Sequence, residues 1–158
     1  MTSQVLIEQT SAVDSFVALL RAHASVTRQL SAQLSDEHGL TISDYEVLLF
    51  LARAPDRRLR RVDLAGRILL TASGVTRLLD GLERGGLVER ASCSDDRRVV
   101  YAVLTEAGLA KVREASTSHV AQIEEFFGRR YEKHELDELA TLLGRIGGNE
   151  TADCEPPQ

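Results

Sequence analysis

Between Thr71 and Gly108 the hydrophobic period of this chain switches from helical to alternating and back, which leaves few folds open to it. Val75, Leu78, Leu79 and Leu82 fall on one helix face, and Ser73, Thr76, Arg77 and Asp80 fall on the opposite one. Thr71 stands where an N-cap is needed, and Gly85-Gly86 halts the helix. Leu87–Arg90 and Val99–Leu104 then read as the two strands of a hairpin, and Thr105 opens another helix. Just upstream, Val62–Leu69 reads as a short helix, separated from the next by a tight turn. Two such helices, the second with a polar outward face, form a helix-turn-helix, and the hairpin adds a wing.

The flanks are long helices. From about Gln9 to Glu37, Val13, Phe16, Leu20, His23, Thr27, Leu30 and Leu34 make one stripe, stopped by His38-Gly39. Ser43-Asp44-Tyr45-Glu46 fits a capping box, and the apolar run Val47–Leu51 behind it predicts a helix buried on most sides and ended by Pro55. Arg57–Arg61 is a basic connector with room for one short strand. After the hairpin, a helix of about 25 residues carries Leu109, Val112, Ser116, His119, Ile123 and Phe126/Phe127 along one side. A last helix carries Leu136, Leu139, Leu142/Leu143 and Ile146 before Gly147-Gly148.

The expected class is mainly α with a small β-hairpin wing: a winged helix-turn-helix lobe, residues 41–104, on a helical scaffold, residues 9–38 and 105–147. Together these form one domain over 9–147, between a flexible end at 1–8 and a disordered tail at 148–158 that finishes in Pro-Pro. The terminal helices carry more apolar surface than the central lobe can cover, so pairing with a second copy is expected.

Charge distribution sharpens this picture. The formal net charge is -5, which at first argues against nucleic acid. Residues 53–98, however, hold eleven arginines against seven acids, a local +4, while the remainder holds eight basic and 17 acidic residues. A basic middle on an acidic scaffold suits a lobe that binds DNA. No apolar run is long enough to span a membrane and no signal-peptide pattern is visible, so a cytoplasmic protein is expected. Cys93 and Cys154 are too few for a disulfide framework or a zinc ribbon. No nucleophile–base pair or complete metal site is visible, and His134-Glu135 begins an HExxH pattern that lacks its second histidine; an enzyme is not expected.

Individual residues suggest how DNA would be read. The first turn of the Thr71 helix aims free N–H groups at a phosphate, and Ser73, Gly74 and Thr76 let base edges come close. Arg77 can fork onto guanine. Asp80 and Glu83 would repel phosphate, so only the first two turns should enter a groove. Arg97 and Arg98, at the hairpin tip, suit a narrow minor groove, and Asp96 can hold Arg98 extended. Arg60 and Arg61 add positive charge beside the helix pair. The rival from another class is a winged-helix module that docks protein without touching DNA.

The run RRVDLAGRILLTASGVTRLLDGLERGGLVER followed by DDRRVVYAVLTEAG closely resembles the MarR family of bacterial winged-helix transcriptional regulators. Asp96, Arg98 and Leu104-Thr105-x-x-Gly108 lie at that family's wing spacing, and LTISDYEVLLFLARAP resembles its second helix. The resemblance covers roughly residues 10–147. It implies a homodimer on a pseudo-palindromic double-stranded operator, acting most often as a repressor, with recognition helices in successive major grooves and wing arginines in flanking minor grooves. It also implies response to a small ligand, an oxidant or a metal. Ser92-Cys93-Ser94 departs from the pattern where a proline is common, and Cys93 is either an oxidisable thiol beside DNA or an inert surface cysteine. No required cofactor is visible. His23 and His119, both on apolar stripes, are candidates to meet in a pocket, with a small aromatic acid held by Arg21 or His23, or a metal, as the effector.

Overall fold

The computed structural model describes residues 10–68, 71–93 and 98–147. The expected end at 1–8, the tail at 148–158, Asp96, Arg97 and Cys154 lie outside the described residues.

Helix α1 spans Ser11–Gln33, capped by Thr10, whose Oγ1 accepts from the Val13 amide at 3.3 Å. It runs on into a single π-helical turn, Leu34–His38, that the periodicity does not announce. Gly39, at φ 66°, ends it in the left-handed region that glycine tolerates. Helix α2, Ile42–Arg53, begins two residues earlier than expected. Its cap is Thr41 with Asp44, not Ser43 with Glu46: Thr41 Oγ1 accepts from the Asp44 amide at 3.1 Å, and Asp44 Oδ2 accepts from the Thr41 amide at 2.9 Å. Both tetrads fit the motif, and the earlier one prevails because it lets Ile42 join the helix and pack against the core.

Pro55 opens a short 3-10 turn, Pro55–Arg57, in which Asp56 and Arg57 sit at φ 53° and 52°. These left-handed residues swing the chain into strand β1, Arg58–Arg60. Helix α3, Arg61–Arg67, and helix α4, Ala72–Arg84, follow. Strands β2, Val88–Ser92, and β3, Val100–Leu104, form the hairpin, and β1 adds to its far edge. The sheet is antiparallel in the order β1-β3-β2, with Arg90 opposite Ala102 and Leu59 opposite Ala102 on the other side. Helices α5, Glu106–Gly128, and α6, Lys133–Gly147, complete the chain.

The chain packs as two compact units, one up to His119 and one from Val120. In the first, Leu34, Leu48, Leu51, Leu64 and Val75 are fully buried, and Leu79, Leu82, Val88, Leu104 and Val112 join them. α4 is thereby fixed by its leucine face, as its period predicts, and its polar face is left outward. In the second unit, Phe127 packs against Phe126 and Tyr131, and Arg130 stacks over Phe126 at 3.9 Å.

Thr105 and Gly108 weld the wing to α5. Thr105 Oγ1 donates to the Gly86 carbonyl at 2.7 Å, accepts from the Gly108 amide at 3.0 Å, and the Thr105 amide donates to Leu87 O at 3.1 Å. One threonine thus caps a helix and ties it to the start of the hairpin.

Candidate nucleic-acid interface

The N-terminal turn of α4 is built around Thr71. Its Oγ1 accepts from the Gly74 amide at 3.2 Å and lies 3.1 Å from Ser73 Oγ. Ser73 and Arg77 are exposed, Gly74 and Thr76 half-buried, while Val75, Leu79 and Leu82 are buried behind them. The positive end of the helix dipole and its remaining amides therefore open outward on a face of short side chains.

The arginines of the connector lie on β1 and at the start of α3, the helix that packs against α4. Arg61 is exposed at the start of α3. Arg60 is exposed too, but its guanidinium is forked onto Asp63, with Nε to Oδ2 at 2.8 Å and Nη2 to Oδ1 at 3.0 Å. Those hydrogen bonds and the carboxylate charge raise its pKa above the ordinary value. The Arg60 guanidinium is thus already shared with Asp63. Arg58 stacks over Tyr101 at 5.2 Å and Arg67 over Phe50 at 5.8 Å. Arg57 pairs with Glu106 at 2.5 Å.

Beyond β2 and β3 the Cys93 amide donates to Val99 O at 3.1 Å across the hairpin. Arg98 is exposed there, and Cys93 is half-buried. The acids that sequence reasoning set against phosphate turn out to have a partner. Arg90, on β2, bonds to Asp80 through Nη2 and to Glu83 through Nε, the latter at 2.9 Å.

The proposed ligand residues are not brought together. Arg21 and His23 are exposed on α1, where His23 Nε2 lies 3.5 Å from Thr27 Oγ1. His119 is buried, its Nδ1 3.2 Å from Gln33 Oε1. Gln33 is ten residues beyond His23, about 15 Å along the helix. Burial, and secondarily the charge of His38, lower the His119 pKa from its ordinary value.

His119 instead belongs to a polar cluster where α1, its π turn, α2 and α5 meet. Gln33 Nε2 donates to Ser118 Oγ at 3.0 Å and to Glu37 at 2.5 Å. Ser118 Oγ lies 2.6 Å from His38 Nε2, Tyr45 OH lies 3.1 Å from Ser116 Oγ, and the Tyr45 ring meets His119 edge-on at 4.9 Å. His38 Nδ1 is buried without a hydrogen-bond partner. No sequence signal joins these residues, since Gln33 and His119 are 86 positions apart. The described residues hold no group of three or more His, Cys, Asp or Glu able to bind a metal, and no helix among them is long and apolar enough to cross a membrane.

A short helix, a turn, a second helix with an open polar face and a three-stranded wing define a winged helix-turn-helix protein. A family model described as the MarR family matches residues 38–99. The transcriptional regulator MhqR of Bacillus subtilis is 30% identical over 134 residues, 85% of this chain and 90% of its own length. The homoprotocatechuate degradative operon repressor of Escherichia coli is 29% identical, over 80% of this chain and 83% of its own. Among solved structures, the MarR-family regulator Sco3205 of Streptomyces coelicolor, crystallised with DNA, superposes with a TM-score of 0.80 at 25% identity, covering 91% of both chains. The chain belongs to the MarR family of transcriptional regulators.

Proposed function

We propose that this protein is a homodimeric repressor that reads a pseudo-palindromic operator. In this proposal α4 of each protomer lies in a major groove and each wing in the adjacent minor groove. Arg77, Ser73, Gly74, Thr76 and Thr71 act in the major groove, and Arg98, Arg97 and Asp96 act through the wing. Arg61 and Arg60 supply phosphate contacts. Helices α1, α5 and α6 are the dimerisation scaffold over 9–38 and 105–147, around the DNA-reading lobe at 41–104, and the dimer acts in the cytoplasm. The single observation that carries the reading is the outward first turn of α4, capped by Thr71 and lined by short polar side chains, together with a wing on which Arg98 is exposed. Sco3205 in its complex with DNA, and the relative named as an operon repressor, support both halves of it.

Release by a small aromatic acid is the effector reading favoured here, with a metal as the other outcome. Its support is the relative named for the degradation of homoprotocatechuate, an aromatic acid. The test is fluorescence anisotropy of the protein on DNA from upstream of its own gene, across a salt series, against a scrambled duplex. Tight binding that prefers the native fragment and weakens steeply with salt is expected. Equal, weak binding to both duplexes would overturn the DNA-reading proposal and favour a protein-docking module. Titrating aromatic carboxylates, then divalent metals, into the preferred complex identifies which releases it.

A further inference from the structure

We propose that Arg90 is a positioning residue for DNA binding, a two-point tether that sets the wing against the recognition helix. The inference rests on the DNA-reading function proposed above and adds a residue to it that contacts no DNA itself. Side chains alternate along β2, so Val88, Arg90 and Ser92 share a face. Val88 turns that face into the core and is buried. Two residues nearer the tip, Arg90 reaches the same way and meets the flank of α4 rather than its leucines. Its Nη2 bonds to Asp80 and its Nε to Glu83, residues one turn apart on the helix.

The geometry needs an arginine. The guanidinium is planar and presents Nε and Nη in fixed, divergent directions, so one side chain spans two carboxylates and resists rotation about either contact. A lysine is a point charge on a flexible stem and can satisfy the same acids without fixing a direction. The turn that joins α4 to β2, with Gly86 at φ 71°, and the base of the hairpin are held by Thr105, Gly108 and buried Val88, which leaves freedom only in the arm beyond that base. Arg90 removes that freedom beyond the turn, between the part of the molecule that enters the major groove and the arm that enters the minor groove. Side chains of all three residues are near 40% exposed, so the pairs add little to stability. What they fix is the angle between two DNA-contacting parts.

A rival role is electrostatic screening: Arg90 would merely neutralise acids that would otherwise repel phosphate. The two roles separate experimentally. A duplex is first selected from a random pool by the parent protein; enrichment of no duplex would overturn the DNA-reading function itself. On the selected duplex, R90A, R90K and the triple variant D80N/E83Q/R90Q are compared by affinity, thermal melting and hydroxyl-radical footprinting. A tether predicts that R90A loses about tenfold in affinity, the scale of one lost groove contact, and that R90K recovers part of it. It also predicts that flanking minor-groove protection fades while central major-groove protection persists, with melting close to the parent. The triple variant, which carries no unpaired acid, stays as weak as R90A. Recovery of parental affinity by the triple variant, or an unchanged footprint in R90A, would overturn the tether.

Discussion

Gly108 lies so close to the carbonyl of Leu87 that a Cβ on it would stand 2.1 Å from that oxygen and 2.7 Å from Leu104 Cδ1. The first turn of α5 therefore touches the first residues of the hairpin backbone to backbone. Thr105 supplies the matching hydrogen bonds, to Gly86 and from Gly108. The spacing Leu104-Thr105-x-x-Gly108 is thus a packing device that joins the wing to the scaffold. G108A forces the carbonyl away and is expected to cost about 2 kcal/mol, the middle of the range for overpacking. In a chain of this size that is a fall of roughly 4–8 °C in melting temperature, read by circular dichroism. Unchanged melting would mean that the helix and hairpin separate easily.

Thr71 is the only N-terminal side-chain cap on α4 among the described residues, through its bond from the Gly74 amide. T71A should lower stability by about 1 kcal/mol, while T71S keeps most of it. The larger effect is expected on DNA, because fraying releases the turn whose amides are proposed to face phosphate. Anisotropy on the preferred duplex should show T71A weakened by more than its melting shift implies, with T71S near the parent.

How far the sequence reached depended on whether a pattern was local. The helix from Thr71, its buried leucine face and the two hairpin strands follow from periods within a dozen residues, and the structure places them so. Local patterns also misled: Thr41-x-x-Asp44 and Ser43-x-x-Glu46 are equally good capping boxes, and only packing of Ile42 decides between them. An apolar stripe announces a face but not its cover. His23 shares a stripe with Leu30 and Leu34, yet those two are buried while His23, Phe16 and Leu20 are exposed. The Gln33–His119 contact and the Arg90 bridge cross 86 and ten positions, and no periodicity links such partners.

Arg77 and Arg98 should differ in kind when removed. Arg77 stands exposed on α4 two residues past the capped turn and is expected to meet a base edge. R77A should lose affinity and also relax preference at one base position by about 1–3 kcal/mol. Arg98, on the wing, is expected to act on the minor groove and its phosphates. R98A should weaken binding across sequences and flatten the salt dependence by close to one unit of slope. Binding by R98A equal to the parent at moderate salt would mean that the wing does not engage DNA.

Burial of His119 makes stability depend on pH with a definite sign. Its folded pKa lies below the ordinary 6.5, first because burial disfavours the imidazolium and second because His38 is near. The unfolded chain therefore binds the proton more readily, and stability rises with pH through that window. The contribution is complete above about pH 6.5 and is lost as pH falls toward the depressed folded value. Denaturant midpoints between pH 7.5 and about 5 should fall more steeply for the parent than for H119Q, which carries no titrating ring. Parallel curves would mean that the His119 site admits the proton as readily as water does.

On α1, Val13, Phe16, Val17 and Leu20 recur at steps of three, one and three, and so form one stripe, with Phe16 59% and Leu20 51% exposed. A contiguous apolar ridge on a helix that already buries Leu30 and Leu34 at its other end calls for a second surface. In the dimer proposed above, a second copy of the same chain covers it, with the symmetry that the proposed palindromic operator needs. F16E/L20E places two carboxylates in that contact without touching the lobe at 41–104. Sedimentation should show a monomer at concentrations where the parent is a dimer, with helical content retained. Affinity for a two-half-site duplex should fall by about a hundredfold, because linked half-sites no longer act together, while affinity for a single half-site changes little. A dimer that survives both substitutions would move the contact away from this stripe of α1.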